Sequence, residues 1–255
     1  MSTTEPQFDA REILRRAWPL FQETLLRCLP LAVLAAAASA VPQAETAASR
    51  AAGLPLHTRE WWGVLLATTA LTLICIESVL RLQLAAMQHG RAAAMESMRR
   101  SVASLPGTFA LLLLSMAPLL PALLWISLRG ANLLSALWLL AGLGGLLFVF
   151  FAWPIRAAEG VSPWHALGRS ILLVRAHFTQ VLMLAGVMLA AVLVFAQLTG
   201  IFIGLIMKIA GPQAQTSHAW LSMSRWLMAG VIAVPLIYMG AVSVAAYRQT
   251  SGETK

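Results

Sequence analysis

Six long apolar runs, separated by short polar stretches, dominate the pattern of this chain. A membrane-crossing helix needs about 20 mostly apolar residues. We predict spans over residues 18–42, 61–87, 105–128, 133–155, 179–209 and 226–246. Residues 1–9 are polar and are predicted to form a disordered tail. The pattern therefore predicts an all-α, polytopic membrane helix bundle, with residues 1–255 forming a single integral membrane domain of three helical hairpins.

The first span has two interpretations. Its apolar core, residues 28–41, is short, so an uncleaved helix has to begin near Trp18, with Glu23 and Arg27 reaching back to the interface. A basic start, an apolar run and the sequence Ala-Ser-Ala at residues 38–40 also fit a cleaved secretory signal. We favour the uncleaved span, because its long charged lead is similar to stretches that precede later spans.

Two connectors between spans, residues 93–104 and 162–177, have the pattern of amphipathic helices. Ser162 followed by Pro163 is typical of a helix start, because Ser caps free amides and Pro tolerates the first helical position. Downstream, an apolar stripe comprises Trp164, Leu167, Ile171, Val174 and Phe178, and the polar residues off it are His165, Arg169, Ser170 and Arg175. Such helices suit the cytoplasmic membrane surface, and the alternative is a polar helix packed on protein.

A short pattern occurs three times, each time before a pair of apolar runs. Its copies are Leu14-Arg15-Arg16-Ala17-Trp18, Met98-Arg99-Arg100-Ser101-Val102 and Leu167-Gly168-Arg169-Ser170-Ile171. We interpret the chain as three similar repeats, each consisting of a lead-in helix and a transmembrane hairpin.

Composition supports the membrane assignment. The chain is 59% hydrophobic and 11% charged, whereas a soluble domain carries about a quarter charged residues. The net charge of +8 comes mainly from arginines that flank apolar runs. We therefore expect anionic lipid headgroups on the cytoplasmic side, and not nucleic acid, as the partner. The candidate contacts to headgroups or to a partner protein are Arg15, Arg16, Arg99, Arg100, Arg169 and Arg175.

Residues 154–182 carry a family resemblance. The stretches Ala157-Ala158-Glu159-Gly160 and Ala166-Leu167-Gly168-Arg169-Ser170 resemble bacterial inner-membrane proteins of the YciC type and the related membrane domain found beside glycerophosphodiester phosphodiesterases. The resemblance implies six spans with amphipathic connectors, in a family of poorly defined function. The sequence shows no soluble phosphodiesterase domain, so that activity is not carried over. The connector motif comprises Glu159, Gly160, Ser162, Pro163 and Ser170.

Glu77 is the acid that lies well inside a predicted span, with Arg81 one turn further along. A charge at this depth is costly and has to face protein, water or a partner. We predict a structural Glu77–Arg81 ion pair. The alternative is a carboxylate that couples proton or ion movement in a small transporter or channel. That function would also use the spans broken by proline, which are the third, at Pro118 and Pro121, and the sixth, at Pro235.

Other features give weaker signals. Gly142 and Gly145, and the pair Gly200 and Gly204, suit close helix packing within the chain or in a homo-oligomer. The histidine spacing fits no zinc helix, and we expect no metal site and no cofactor. A Glu159–His165 dyad is conceivable, but it has no third member in the pattern. The alternative is that Glu159 pairs with a neighbouring arginine, such as Arg156 or Arg169, and anchors the connector. We therefore expect a non-enzymatic inner-membrane protein that organises membranes or binds lipids or protein partners.

The distribution of basic residues predicts the topology. With the N-terminus inside, the inner segments hold thirteen Arg and Lys residues and the outer segments hold five. Both termini should therefore be cytoplasmic. Reporter fusions after residues 50, 130 and 215 should report the periplasm, and fusions after residues 95, 165 and 255 the cytoplasm. A cytoplasmic signal at residue 130 would contradict the predicted hairpin of the third and fourth spans.

Overall fold

The computed structural model describes residues 8–53, 58–88, 93–130, 132–215 and 218–250. Within these ranges all regular structure is helical, with no strand. Six helical stretches are long and apolar enough to cross a membrane. The predicted all-α class with six spans is confirmed.

The helices follow one another along the chain with short breaks. Their bounds are α1 Ala10–Ala51, α2 Arg59–Met87, α3 Ala94–Met116, α4 Leu120–Arg129, α5 Leu133–Leu147, α6 Ala152–Glu159, α7 Pro163–Ala176, α8 Phe178–Gln215 and α9 His218–Thr250, with a 3₁₀ turn at Ala117–Leu119 between α3 and α4.

The chain divides into two compact units. The first unit comprises Met1–Ala17, Ala103–Gly186 and Val242–Lys255. The second comprises Trp18–Val102 and Val187–Ala241. The first contains α4, α5, α6 and α7 whole, and the second contains α2 whole.

The N-terminal region is more structured than predicted. Residues 1–7 lie outside the described part, but Phe8, placed in the disordered tail by the sequence, is buried. Its ring stacks on His177 with centroids 4.9 Å apart and meets the edge of Phe151 at 6.1 Å. The prediction of disorder is therefore wrong for Phe8, because an aromatic side chain gains more from burial than the polar residues around it.

Helix α1 also continues past the predicted end of the first span at residue 42 and ends at Ala51. The prediction left residues 43–60 outside any span, as the polar stretch between the first two spans. The alanines and glutamate that follow Pro42 are strong helix formers and extend the helix.

The two predicted connectors differ in the structure. Residues 94–104 are the first turns of α3 and not a separate helix, because nothing between Ser101 and Leu105 breaks the backbone and Pro106 is accommodated inside the helix. The other connector is a separate helix, α7, which is set off from α8 by the non-helical backbone of His177.

The third span breaks where its prolines predicted. The helix gives way to the 3₁₀ turn that contains Pro118, and α4 begins one residue before Pro121. Two glycines of α5 make room for this turn. A Cβ atom at Gly142 would lie 2.7 Å from the Pro118 carbonyl oxygen, and one at Gly145 would lie 2.6 Å from the Pro118 Cβ. The predicted close packing at Gly142 and Gly145 is thus found between α5 and the 3₁₀ turn.

The fourth span contains a break that the sequence did not predict. Between α5 and α6 the backbone forms tight turns, with amide-to-carbonyl bonds three residues apart such as Phe150 to Leu147. The turn leaves the Phe148 carbonyl and the Phe151 amide without helical partners. The Ser170 hydroxyl donates to the Phe148 oxygen at 2.7 Å and accepts from the Phe151 nitrogen at 3.1 Å.

The buried face of α7 differs from the predicted stripe. Ala166, Ser170 and Val174 are fully buried, whereas Trp164 is 70% exposed. The placement of Ser170 on the polar side is therefore wrong. Small residues allow α7 to pack closely on α6, and the large aromatic side chain is left on the outer surface, where tryptophan suits the membrane interface.

Ser170→Ala is expected to destabilise the protein. It leaves the buried Phe151 amide without an acceptor, which costs about 1–3 kcal/mol. Thermal unfolding in detergent would measure the loss. Ser39→Ala is the matched control, because the exposed Ser39 hydroxyl bonds only its own helix, at the Ala36 oxygen. Equal unfolding temperatures for the two variants would contradict this role of Ser170.

Candidate functional site

The end of the fourth span and the connector helix form a polar centre in the first unit. Arg156 of α6 is buried there. Its guanidinium donates to the Val161 oxygen at 2.7 Å and to the Ser104 oxygen on α3 at 3.0 Å. Arg156 therefore ties α6 both to the loop that follows it and to α3.

Gly107 makes this contact possible. A Cβ atom at Gly107 would lie 2.7 Å from the Arg156 Cζ and closer still to its Nη2. The sequence analysis did not foresee this contact. Arg156 was considered only as a neighbour that could pair with Glu159, and no sequence pattern links it to a glycine 49 positions earlier.

Glu159, the last residue of α6, connects two further helices. One carboxylate oxygen accepts from the Tyr247 hydroxyl of α9 at 2.6 Å, and the other forms an ion pair with Arg169 of α7. The sequence predicted a pair with Arg156 or Arg169, and the structure selects Arg169. Both oxygens of Glu159 thus have partners other than His165, and Tyr247 was not anticipated.

The remaining motif residues shape the turn between α6 and α7. Gly160 has a positive φ of 65° and ends α6 in the left-handed conformation that glycine adopts without strain. Ser162 accepts a hydrogen bond from the His165 amide, and Pro163 occupies the first turn of α7. The predicted helix start is confirmed.

The arginines of the first two lead-ins form local ion pairs. Arg15 and Arg16 pair with Glu12, and Arg99 and Arg100 pair with Glu96. These side chains remain open to solvent, with Arg15 80% and Arg99 83% exposed. Arg175 of α7 is exposed and forms no ion pair with any residue that the structure describes.

Exposed apolar side chains follow these arginines at helical spacing. Trp18 lies three residues after Arg15, Val102 three after Arg99 and Leu172 three after Arg169, and all three apolar residues are exposed. An outward cation beside an outward apolar group is the pattern of a helix at the boundary between headgroups and acyl chains.

The Glu77–Arg81 pair lies in the second unit. The Arg81 Nη2 is 2.6 Å from the Glu77 Oε1, and Glu77 is buried. The predicted pairing is confirmed. The same helix carries Gln83, which is also buried and donates to the Ile237 oxygen of α9 at 2.8 Å.

The other candidates contribute no site. Gly200 and Gly204 face open space, so their use in helix packing stays a prediction. Cys28 and Cys75 are buried free thiols. Among the described ranges, no group of three His, Cys, Asp or Glu side chains is placed to hold a metal ion.

Fold and site together define an all-helical, multi-pass membrane protein with a polar centre at the C-terminal end of its fourth span. No protein-family model, curated protein or solved structure matches the chain.

The ion pair in α2 gives an asymmetric prediction. Glu77→Gln leaves an arginine whose long side chain can reach the interface, and should cost below about 1 kcal/mol. Arg81→Ala leaves a buried carboxylate without this guanidinium, and should cost about 3 kcal/mol. Thermal unfolding would compare them, with Arg59→Ala at the exposed start of the helix as the control. A larger loss for Glu77→Gln than for Arg81→Ala would rule out this asymmetry.

Proposed function

We propose that the chain is a non-enzymatic protein of the bacterial inner membrane that associates with anionic lipid headgroups on the cytoplasmic side. Its role would be to organise the membrane, or to assist a membrane partner there. The observation that carries the proposal is the recurrence, at three lead-ins, of an exposed arginine three residues before an exposed apolar side chain.

The electrostatics suit reversible association with a surface. A basic residue near an anionic leaflet contributes about 1 kcal/mol, and several such residues together give a preference without a tight, single binding site. The ion pairs with Glu12 and Glu96 involve exposed side chains. Exposed pairs contribute little to stability, so the arginines can exchange between these acids and headgroups.

The resemblance of residues 154–182 to YciC-type proteins supports the proposed location in the inner membrane. It also agrees with cytoplasmic connectors, as does the bias of basic residues. The membership itself is part of the proposal.

Two observations favour a non-enzymatic role. The carboxylate of Glu159 is engaged by Tyr247 and Arg169, and therefore does not orient His165 as a general base would require. The buried acid of α2, Glu77, is likewise engaged by Arg81.

The alternative function, a small transporter or channel, rests on Glu77 and the proline-broken spans. In the structure Glu77 pairs with an arginine of its own helix, and the Pro118 turn packs against Gly142 and Gly145. Both features thus have partners within the fold, which favours the first proposal.

Neutralising the first two lead-ins is expected to weaken the preference for anionic lipid. The variant carries Arg15→Gln, Arg16→Gln, Arg99→Gln and Arg100→Gln in the full chain, reconstituted in phosphatidylcholine bilayers with a trace of spin-labelled phosphatidylglycerol. The motionally restricted fraction in the electron paramagnetic resonance spectrum gives the relative association constant. We expect the relative association constant of the variant to be lower by about fivefold or more. The difference should shrink at high salt, because salt screens the charges.

The control variant carries Arg59→Gln and Arg129→Gln, which lie on the predicted outer side. For this comparison the spin-labelled phosphatidylglycerol is added only to the leaflet that contacts the predicted cytoplasmic side of the protein. An unchanged preference in the fourfold variant would refute the proposed association.

A further inference from the structure

Two hydrogen-bond donors from different helices converge on the carboxylate of Glu159. The Tyr247 hydroxyl reaches one oxygen at 2.6 Å, and the Arg169 guanidinium pairs with the other. Tyr247 is buried and held in place by α9. A fixed hydroxyl and a guanidinium directed at one anionic group constitute an anion-binding arrangement, and here the chain supplies the anion itself.

This arrangement is open on one side. The side chain of Arg169 is 45% exposed and that of Glu159 26% exposed. The neighbouring cation, Arg156, is buried and committed to backbone oxygens. Arg169, unlike Arg156, is therefore a cation of this centre that an outside anion can reach.

The surroundings of Arg169 suit a lipid. Trp164 and Leu172, on the same helix, are exposed large apolar side chains that can contact acyl chains near the interface. A lipid phosphodiester resembles a carboxylate in carrying one negative charge over two free oxygens, so it can accept from the same guanidinium and hydroxyl.

We propose that Glu159 is an internal competitor at this site, and that the phosphodiester of an anionic lipid displaces it from Arg169 and Tyr247. The inference rests on the proposed function and names the site where it is regulated. Displacement is feasible because a partly exposed ion pair contributes little to stability. The carboxylate then turns to solvent, while Arg169 exchanges one anionic partner for another.

The first test is Glu159→Gln, which keeps a carbonyl acceptor for Tyr247 but removes the competing charge. In the spin-labelled phosphatidylglycerol assay, the preference for anionic lipid should rise about two- to fivefold. In an Arg169→Gln background the same substitution should give a rise of less than half that size. No rise in the native background, or an equal rise in both, would overturn the competition.

A second measurement follows the native chain and does not depend on the folding of Glu159→Gln. With ¹⁵N-labelled arginine, dipolar dephasing by lipid ³¹P reports which guanidinium groups touch phosphate. Arg175 is the control on the same helix, because it is exposed and has no ion pair in the described ranges. Signals are assigned by their loss in Arg169→Gln and Arg175→Gln.

As phosphatidylglycerol is raised, Arg175 should dephase first and Arg169 only at a higher fraction. Arg169 dephasing at the same fraction as Arg175, or not at all, would contradict displacement. The result is separable from the proposed function. Loss of preference in the fourfold lead-in variant tests that function, whatever happens at Glu159.

Discussion

The first unit depends on one constraint. Where a span breaks, the backbone amides and carbonyls that lose their helical partners need other hydrogen-bond partners. A free amide or carbonyl in a membrane costs several kcal/mol, and the break after α5 leaves the Phe148 carbonyl and the Phe151 amide without helical partners. The Ser170 hydroxyl meets both needs. Because that hydroxyl must point inward, the small face of α7 packs on α6. Arg169, the preceding residue, then lies where it meets Glu159.

Polar contacts to other helices stabilise helix α6, which is short. At eight residues, Ala152–Glu159 is too short to be stable alone. Arg156 joins it to α3, and Glu159 joins it to α7 and α9. Polar links to three other helices of the unit thus converge on one short helix beside the break. A ligand that took Glu159 away from its partners would loosen the link to α7 and α9 while leaving the link through Arg156 intact.

The sequence predicted what depends on local composition. Long apolar runs gave the six spans, prolines gave the break near Pro118, and Ser162 with Pro163 gave the start of α7. The ion pair of Glu77 with Arg81 followed from spacing within one helix. The contacts that it missed join residues far apart in the chain, such as Arg156 with Ser104 and Glu159 with Tyr247. A helix break that lacks proline leaves no distinct pattern in the sequence, and neither does a buried stripe of small residues. The burial of Ser170 could therefore not be foreseen.

The three lead-ins share burial and ion pairing as well as a sequence pattern. Ala17, Ser101 and Ser170, which are equivalent in the repeat, are all fully buried, and the arginine before each one is paired with an acid. Each set of two candidate arginines and its acid, Glu12, Glu96 or Glu159, carries two positive charges less one negative charge, which is a single net charge. At about 1 kcal/mol for each net charge beside an anionic leaflet, the three together favour anionic lipid by only about 3 kcal/mol. An association of that size is reversible and can be tuned, and the acid of each lead-in is the group that sets it.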